Sequence, residues 1–408
     1  MQGLLKKKAI QYGAGNIGRG FIGQLYHQSG YEVAFIDVLP VVLETLNTDH
    51  KYPINIVSDT EKKEIIIDNV RAIDGKDVDA IAEEIATCDI MSTAIGVRVL
   101  PYIIPNIAKG IKRRWEITDK PLNIIICENL LGADEFIREK MKNEFTEEEY
   151  KKFLNTVGLV EASIGRMVPA PSEEDKAKHP LIVNVEPYCE LPVDKAAFKG
   201  EIPNIVNLKP FAPFEFFIKR KLFVHNMSHA TCAYLGGLKG YTYTYESMAN
   251  SDIKLICKWA LDESTEALSK EYNYPLSELM YHANELLFRF ANHRLGDTVA
   301  RVGKDPLRKL SENDRLIGAL KCCVKNNVDP TFICIGIAAG LLFRQEDDEA
   351  SITVSNLAKE KGVKAALKEI SNFECDTCVP KIEKFYEMLK SQPLNEIIAY
   401  AQTIKYSV

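Results

Sequence analysis

The first half of the chain alternates short apolar runs with amphipathic segments. Strands separated by helices are typical of a parallel β-sheet, whose strands are buried on both faces. The strand-like runs are residues 9–12, 32–37, 89–96, 122–129, a pair within 54–73, and 181–190. We expect the last run to lie antiparallel to its neighbour, near a domain junction. The pattern predicts an α/β domain over residues 1–195.

From about residue 196 onward, longer segments with helical periodicity replace the strand-like runs. They are residues 213–235, 251–272, 275–291, 313–326, 332–344 and 353–370. The longest apolar run, Phe332 to Phe343, has 12 residues. A membrane-spanning helix needs about 20, so this run predicts a buried helix. The second domain, residues 196–408, is therefore expected to be mostly α-helical.

A glycine-rich turn follows the first strand and opens a helix-length segment. Gly13, Gly15 and Gly18 have the spacing of a dinucleotide-binding turn. The first permits the tight turn, the second lets the backbone approach a pyrophosphate, and the third lets helix and strand pack closely. Asp37 ends the second strand 19 positions after Gly18, where it would bind a ribose and repel a 2′-phosphate.

These features predict an N-terminal Rossmann-type dinucleotide-binding domain that binds NAD rather than NADP, followed by the mostly α-helical C-terminal domain. Ligands in such folds bind at the carboxyl ends of the strands, and the cleft between domains is the expected site. The candidate cofactor-binding residues are Gly13, Gly15, Asn16, Ile17, Gly18, Asp37 and Thr93.

The segment Phe211 to Leu235 predicts a helix that carries three polar residues on one side, Lys221, Asn226 and His229. At about 100° per residue, Asn226 lies about 140° from Lys221 and His229 about 80°. A lysine and a histidine that face inward together would each have a displaced pKa, which is typical of reaction sites. The alternative is a solvated lysine and a structural histidine in the core.

Composition and charge exclude some classes of partner. The 408 residues are 46% hydrophobic and 26% charged, as in ordinary soluble proteins, and the formal net charge is −6. An acidic chain is a poor match for nucleic acid or an anionic membrane surface. With no evident signal peptide, we expect a cytoplasmic protein, and we expect a monomer.

A basic cluster stands out in this acidic chain. Its members are Arg301, Lys304, Arg308, Lys309 and Arg315. Arginine forks match phosphate oxygens, so the cluster could clamp a phosphate group. Alternatively, it could be a solvated helix end whose cations pair with Asp297, Asp305 and Asp314.

The ten cysteines give little support for a metal site. Only Cys375 and Cys378 have ligand-like spacing, and neither a second such pair nor a nearby histidine completes a zinc site. His225 and His229 lie four apart on the predicted helix, but no third ligand suggests itself. We therefore expect reduced thiols and no metal.

Taken together, these motifs resemble the polyol-specific long-chain dehydrogenase family, and the resemblance runs nearly from end to end. The matching segments are residues 13–23, 127–129, 193–195, 198–200, the Lys221–Asn226–His229 spacing, and 301–310. The resemblance implies metal-independent, NAD-dependent interconversion of a polyol phosphate and a ketose phosphate, such as mannitol 1-phosphate and fructose 6-phosphate.

The resemblance also implies residue roles. Lys221 would be the general base, Asn226 and Asn129 would hold the substrate oxygen, and His229 would orient it. Arg301 and Lys309 would bind substrate, and we add Arg308 from the basic cluster.

Three positions depart from the family pattern: Gly165 replaces an aspartate, Leu191 a tryptophan and Ser228 a glycine. None of them removes the base or the amides, but they leave the sugar open. A free polyol or a ketouronate is an alternative substrate, and a catalytically inactive NAD-sensing protein is an alternative function.

Overall fold

A computed structural model describes residues 7–130, 132–169 and 171–406. The chain divides into two compact units, Met1–Phe214 and Glu215–Val408. The division falls later than the predicted boundary at residue 195, because residues 208–211 pair with a strand of the first unit. Residues 195–196, the predicted boundary, are instead part of that unit.

Strands in the described residues are confined to the first unit. They are β1 Lys8–Tyr12, β2 Glu32–Asp37, β3 Lys51–Val57, β4 Lys62–Asp68, β5 Val70–Asp74, β6 Ile90–Thr93, β7 Leu122–Ile126, β8 Val157–Glu161, β9 Val183–Val185, β10 Leu191–Asp194 and β11 Leu208–Phe211. The main sheet has the order β5-β2-β1-β6-β7-β8, and all of its pairs are parallel. This confirms the predicted parallel α/β sheet.

Alternate side chains of the central strands enter two separate cores. In β2, Val33 and Phe35 pack into one core, while Ala34 and Ile36 pack into the other. A parallel sheet needs helices on both faces for this burial. The helices of this unit are α1 Gln24–Gln28, α2 Pro40–Asp49, α3 Val78–Thr87, α4 Leu100–Ile117, α5 Ala133–Met141, α6 Glu147–Thr156 and α7 Glu173–Lys178.

The predicted strand pair within residues 54–73 is the antiparallel hairpin β3–β4. The prediction for residues 181–190 was wrong in direction, because β9 pairs parallel to β3. Alternation of apolar residues has the same period in both kinds of pairing, so it cannot distinguish them. The register is fixed by a buried hydrogen bond of 2.9 Å between the Asn55 and Asn184 side chains.

The described residues of the second unit form helices joined by loops, without a strand. Its helices are α8 Glu215–Lys219, α9 Met227–Leu238, α10 Thr244–Ala249, α11 Ser251–Tyr272, α12 Leu276–Ala291, α13 Val299–Gly303, α14 Pro306–Lys309, α15 Ile317–Lys325, α16 Thr331–Leu342, α17 Glu349–Lys361, α18 Val363–Ser371, α19 Cys378–Ser391 and α20 Leu394–Tyr406. As predicted, α16 is a buried helix. Within the described ranges, no helix is long and apolar enough to span a bilayer.

One predicted helix of this unit is divided. The segment 353–370 breaks at Gly362, where φ is +84°. Residues other than glycine are strained in that conformation. Gly362 therefore ends one helix and starts the next.

Glu263 of α11 connects three helices of the second unit. Its carboxylate, 2% exposed, accepts hydrogen bonds from Phe332 N (2.9 Å) and Ile333 N (3.0 Å) at the start of α16. It also pairs with Lys405 Nζ of α20 at 2.7 Å. A buried carboxylate with several donors is costly to disrupt, since its partners would be left without an acceptor.

We therefore expect Glu263→Ala to lower the free energy of unfolding by about 3 kcal/mol in urea titrations. Glu147→Ala is a suitable control, because the Glu147 and Lys151 side chains are 85% and 69% exposed. Such an exposed pair should contribute less than about 1 kcal/mol. Equal losses in the two variants would contradict a structural role for the Glu263 contacts.

Candidate active site

The glycine-rich turn has the geometry that its sequence predicts. Gly13 has φ of +93°, and a Cβ there would lie 2.5 Å from the carbonyl oxygen of Ala94. A Cβ on Gly18 would lie 2.0 Å from the carbonyl oxygen of Gly13. By contrast, Gly15 is exposed, and a Cβ there would meet nothing within 4 Å. The backbone at Gly15 is thus open to a ligand such as a pyrophosphate.

Residues 16–28 form the helix that follows this turn, as the sequence predicts. Asn16 is exposed and Ile17 is partly buried at its start. The helix is π-helical over Gly18–Gly23, which was not predicted. Arg19, also missed by the sequence analysis, is buried and donates hydrogen bonds to the carbonyl oxygens of Ala14 and Leu181. The hydrogen bonds of this guanidinium therefore stabilise the turn.

Asp37 lies beside the same turn. Its Oδ2 accepts a hydrogen bond from Ala14 N at 2.8 Å, and its Oδ1 accepts from Val38 N at 2.7 Å and Leu39 N at 3.1 Å. These bonds orient the carboxylate at the carboxyl end of β2. Each oxygen has two lone-pair sites, so Oδ1 is filled and Oδ2 can accept one more hydrogen bond, from a ribose hydroxyl.

Two further predicted residues follow neighbouring strands of the sheet. Thr93 ends β6 and is fully buried, and its Oγ1 has no hydrogen-bond partner among the described residues. Asn129 is exposed just after β7, and no described residue hydrogen-bonds to its amide. Because parallel strands end at one edge, both lie at the same edge as the glycine turn and Asp37.

Glu128, which the sequence analysis did not single out, shapes this edge. Its buried carboxylate accepts hydrogen bonds from Ile95 N at 2.9 Å and Gly96 N at 2.8 Å. It therefore ties the loop after β6 to the end of β7. The sequence shows an acidic residue directly before Asn129, but it does not show which backbone groups that residue binds.

In the second unit, Lys221 and Asn226 lie on a π-helical segment, Arg220–Asn226, between α8 and α9. At its end, Met227 N donates to Leu222 O, five residues earlier. The predicted continuous α-helix over residues 213–235 was therefore wrong at this point. In a π-helix, hydrogen bonds join residues five apart, so such residues share one face, whereas in an α-helix they are about 140° apart. The π-helical turn thus aligns Lys221 with Asn226.

Lys221 is largely buried, and its ammonium has no hydrogen-bond or ion-pair partner among the described residues. Burial and, secondarily, the guanidinium of Arg315 lower the pKa of Lys221 to about 8. A lysine with this pKa can both accept and donate a proton near neutral pH. Arg315 belongs to the basic cluster, but the sequence did not indicate that it acts on Lys221.

His229 is held by an aromatic ring and a carboxylate. Its ring stacks on Phe290 with centroids 4.3 Å apart and an interplanar angle of 2°. His229 Nε2 lies 3.4 Å from Asp297 Oδ2, an ion-pair distance without hydrogen-bond geometry. Burial lowers the pKa of His229, and Asp297 only partly opposes this shift. The imidazole is therefore neutral near pH 7.

His225, the other histidine of the zinc alternative, is buried, and its ring centroid lies 6.0 Å from that of His229. Burial holds the pKa of His225 well below its usual value. Across residues 7–130, 132–169 and 171–406, no group of three histidine, cysteine or acidic side chains could hold a metal ion.

The basic cluster divides into exposed and buried members. Arg301 is 65% exposed and pairs with Asp297, and Arg308 is 53% exposed and pairs with Asp305 at 3.0 Å. Arg308 also lies 3.3 Å from Asp314. These pairs match the alternative of a solvated helix end, and no contact in the structure tests a phosphate clamp.

Lys309 differs from the two arginines, because its side chain is buried and Nζ donates a hydrogen bond to the carbonyl oxygen of Val302. Burial, together with Arg315 and Arg308, lowers the pKa of Lys309 to about 7. Arg315 therefore acts on both buried lysines. An anion bound near them would offset this concentration of positive charge.

The three departures from the family pattern occupy different environments. Ser228 is buried, and its hydroxyl donates to Val224 O at 2.7 Å and His225 O at 3.1 Å, which supports the π-helical segment. Leu191 is buried in a core of the first unit. A Cβ on Gly165 would lie 3.4 Å from the ring of Tyr188.

Comparison with known proteins covers both units. The model of the mannitol dehydrogenase Rossmann domain matches residues 7–207, and that of the mannitol dehydrogenase C-terminal domain matches residues 214–393. Among solved structures, D-sorbitol dehydrogenase in substrate-free form aligns with a TM-score of 0.81 at 15% identity, covering 95% of this chain and 94% of the other. A ternary complex of Pseudomonas fluorescens mannitol 2-dehydrogenase with NAD and D-mannitol gives 0.70 at 15% identity, covering 98% and 94%. At this identity the two structures show the fold.

Curated relatives are more similar in sequence. A mannitol-1-phosphate 5-dehydrogenase from Caldanaerobacter subterraneus subsp. tengcongensis is 38% identical over 392 residues, covering 94% of this chain and 99% of the relative. One from Clostridium acetobutylicum is 38% identical over 388 residues, covering 94% and 100%. These matches confirm the family resemblance inferred from the motifs. The chain belongs to the mannitol dehydrogenase family, and it is an oxidoreductase of that family's two-domain architecture.

Proposed function

We propose that this chain is an NAD-dependent, metal-independent dehydrogenase that interconverts mannitol 1-phosphate and fructose 6-phosphate. The observation that carries the proposal is Lys221, a largely buried lysine whose pKa is lowered to about 8. The names of the curated relatives support the substrate class. We also infer that the enzyme is a cytoplasmic monomer that binds neither nucleic acid nor membrane.

The residues at the carboxyl edge of the main sheet fit a dinucleotide. The open backbone at Gly15 would receive the pyrophosphate, with Asn16 and Ile17 at the start of the helix, and Asp37 would bind the adenosine ribose. Thr93 ends β6 at the same edge and is the remaining proposed cofactor-binding residue. When bound, NAD accepts or returns the hydride.

Lys221 moves the proton in this proposal. Neutral Lys221 accepts the hydroxyl proton during polyol oxidation, and protonated Lys221 returns it during ketose reduction. The amides of Asn226 and Asn129 donate hydrogen bonds to the oxygen as negative charge develops on it. His229, fixed between Phe290 and Asp297, orients that oxygen.

Arg301, Arg308 and Lys309 are the proposed binding groups for the substrate phosphate. For Arg301 and Arg308 this requires exchange of their present carboxylate partners for phosphate oxygens. Lys309 gains more from an anion, because its ammonium is buried and lies near Arg315. The existing arginine–carboxylate pairs favour a second candidate, a dehydrogenase of the same family that acts on a free polyol or a ketouronate.

Replacing the proposed base should remove proton transfer while leaving cofactor binding nearly intact. We expect Lys221→Ala to lower kcat for NADH-dependent reduction of fructose 6-phosphate by roughly 10³-fold. NADH affinity, measured by calorimetry, should change little because the glycine turn is untouched.

Lys219→Met is the matched control, since Lys219 is in the same helical stretch but pairs with Glu215 and Glu271. It should retain most of the wild-type kcat. A Lys221→Ala enzyme with near-normal turnover would refute the assignment of the base.

Metal independence predicts that EDTA does not inhibit the wild-type enzyme. Inhibition that added zinc reverses would instead favour a metal site at His225 and His229.

The phosphate clamp predicts a selective loss of affinity. Arg301→Ala should raise KM for fructose 6-phosphate by roughly tenfold, because a charge-assisted hydrogen bond to phosphate is lost. KM for free fructose should change much less. Arg344→Ala is the control, because Arg344 is exposed and bonds to Ser355 and Asn356 instead. If both sugars lose equally, Arg301 binds the sugar chain, and Arg308 or Lys309 would be the phosphate ligand.

The position of Asp37 predicts a preference for NADH over NADPH, since a 2′-phosphate beside this carboxylate is repelled. Asp37→Ser should shift the ratio of kcat/KM values toward NADPH by roughly tenfold. Asp74→Ser is the matched control, because Asp74 pairs with Asp37 in the sheet, at the end of the neighbouring strand β5. A wild-type enzyme that uses both cofactors equally would show that Asp37 does not contact the ribose.

A further inference from the structure

Three cysteines of the second unit converge at the start of α19. The Cys378 thiol, at the first position of this helix, lies within hydrogen-bond contact of the Cys375 and Cys334 thiols. Thr377 Oγ1 is 3.3 Å from Cys375 Sγ and 3.8 Å from Cys378 Sγ. All three thiols are free. The Cys375–Cys378 spacing was visible in the sequence, but the contribution of Cys334 from α16 was not.

The backbone around Cys375 and Cys378 suits a disulfide. Val379 N donates to Cys375 O at 3.0 Å, so residues 375–379 form a single helical turn. Residues three apart on such a turn are neighbours, and their Cα atoms fall within the range of about 4.4–6.8 Å that disulfides span. A bond between these two cysteines therefore needs only side-chain rotation and small adjustments.

The two thiols differ in access. Cys375 is partly exposed, whereas Cys378 is 1% exposed. The hydrogen bond from Cys334 is the main cause that lowers the pKa of Cys378 to about 6, against the opposing effect of burial. Lys381 and the N-terminal position on a 14-residue helix act in the same direction.

A groove gives small molecules access to Cys375. It has a volume of about 350 Å³, and Cys375 lies in its wall with Phe373, Lys321 and Lys325. This volume is at the lower end of the range for small-ligand sites, about 300–1,000 Å³. The Cys375 thiol therefore faces a groove, and the buried Cys378 thiol does not line it.

We propose that Cys375 and Cys378 form a thiol–disulfide exchange site for small organic disulfides. Cys375, as thiolate, attacks one sulfur of the disulfide RSSR, forming a mixed disulfide and releasing RSH after proton uptake. Cys378 thiolate then attacks Cys375 Sγ and displaces the second RSH. The two protein thiols are oxidised to one disulfide, and RSSR is reduced to two RSH.

The test uses the full-length chain and glutathione disulfide, followed by alkylation, trypsin digestion and mass spectrometry. Cys375 and Cys378 lie in one tryptic peptide, residues 369–381, and Cys334 lies in another, residues 326–344. We expect the first peptide to lose both alkylation sites through an internal disulfide. This should occur at least roughly tenfold faster than modification of Cys189, a partly exposed cysteine of the first unit.

In Cys378→Ser, the same peptide should instead keep one glutathione on Cys375, because the resolving thiolate is gone. In Cys375→Ser, Cys378 should stay alkylatable, because the accessible thiol that attacks glutathione disulfide is gone. The wild-type measurement stands even where a variant folds poorly. The proposal is overturned if residues 375 and 378 stay fully alkylatable, or if the oxidised product links Cys334 to Cys378.

Discussion

The candidate site depends on the ammonium group of Lys221, which is removed from water and has no carboxylate partner among the described residues. Desolvation of a cation is expensive, and a buried lysine responds by releasing its proton more readily. For Lys221 this lowers the pKa to about 8, and Arg315 adds to the effect. The same arginine acts on Lys309, whose pKa falls to about 7. The proton transfer proposed for Lys221 and the anion affinity proposed for Lys309 would thus have a common electrostatic origin in the second unit.

Departures from α-helical geometry occur at both candidate motifs, the glycine turn and the Lys221–Asn226 segment. The glycine turn leads into one π-helical segment, and Lys221 and Asn226 lie on another. In the first, Gly23 is needed because a Cβ would lie 2.6 Å from the Tyr52 hydroxyl. In the second, the hydroxyl of Ser228 bonds to carbonyl oxygens one turn earlier. π-Helical turns are often found at functional sites, and here small or polar residues support both of them.

Much of the fold could be predicted from the sequence because burial imposes a period on each element. Helix α11 spans the predicted residues 251–272, and the glycine turn and Asp37 meet at the carboxyl edge of a parallel sheet. The direction of β9 and the break at Gly362 could not be predicted in this way. Strand direction leaves apolar alternation unchanged, and a glycine within an amphipathic run is compatible with either continuation or termination.

The sequence predicted which helical stretch carries Lys221, Asn226 and His229, but not the charges that surround them. Lys221, Asn226 and His229 were identified from their spacing, and the structure places them on consecutive turns of one helical stretch. The effect of Arg315, the position of Asp297 between His229 and Arg301, and the burial of Lys309 depend on tertiary contacts between separate helices. Their catalytic and binding roles stay predictions.

The central claim is that burial gives Lys221 a proton affinity suited to catalysis, and its titration can be measured directly. The rate of acylation of each lysine as a function of pH, resolved by mass spectrometry of its peptide, reports that lysine's pKa. The account predicts a midpoint near 8 for Lys221 in the wild type and a higher midpoint in Arg315→Met. A midpoint near the ordinary value of about 10.4 would contradict it.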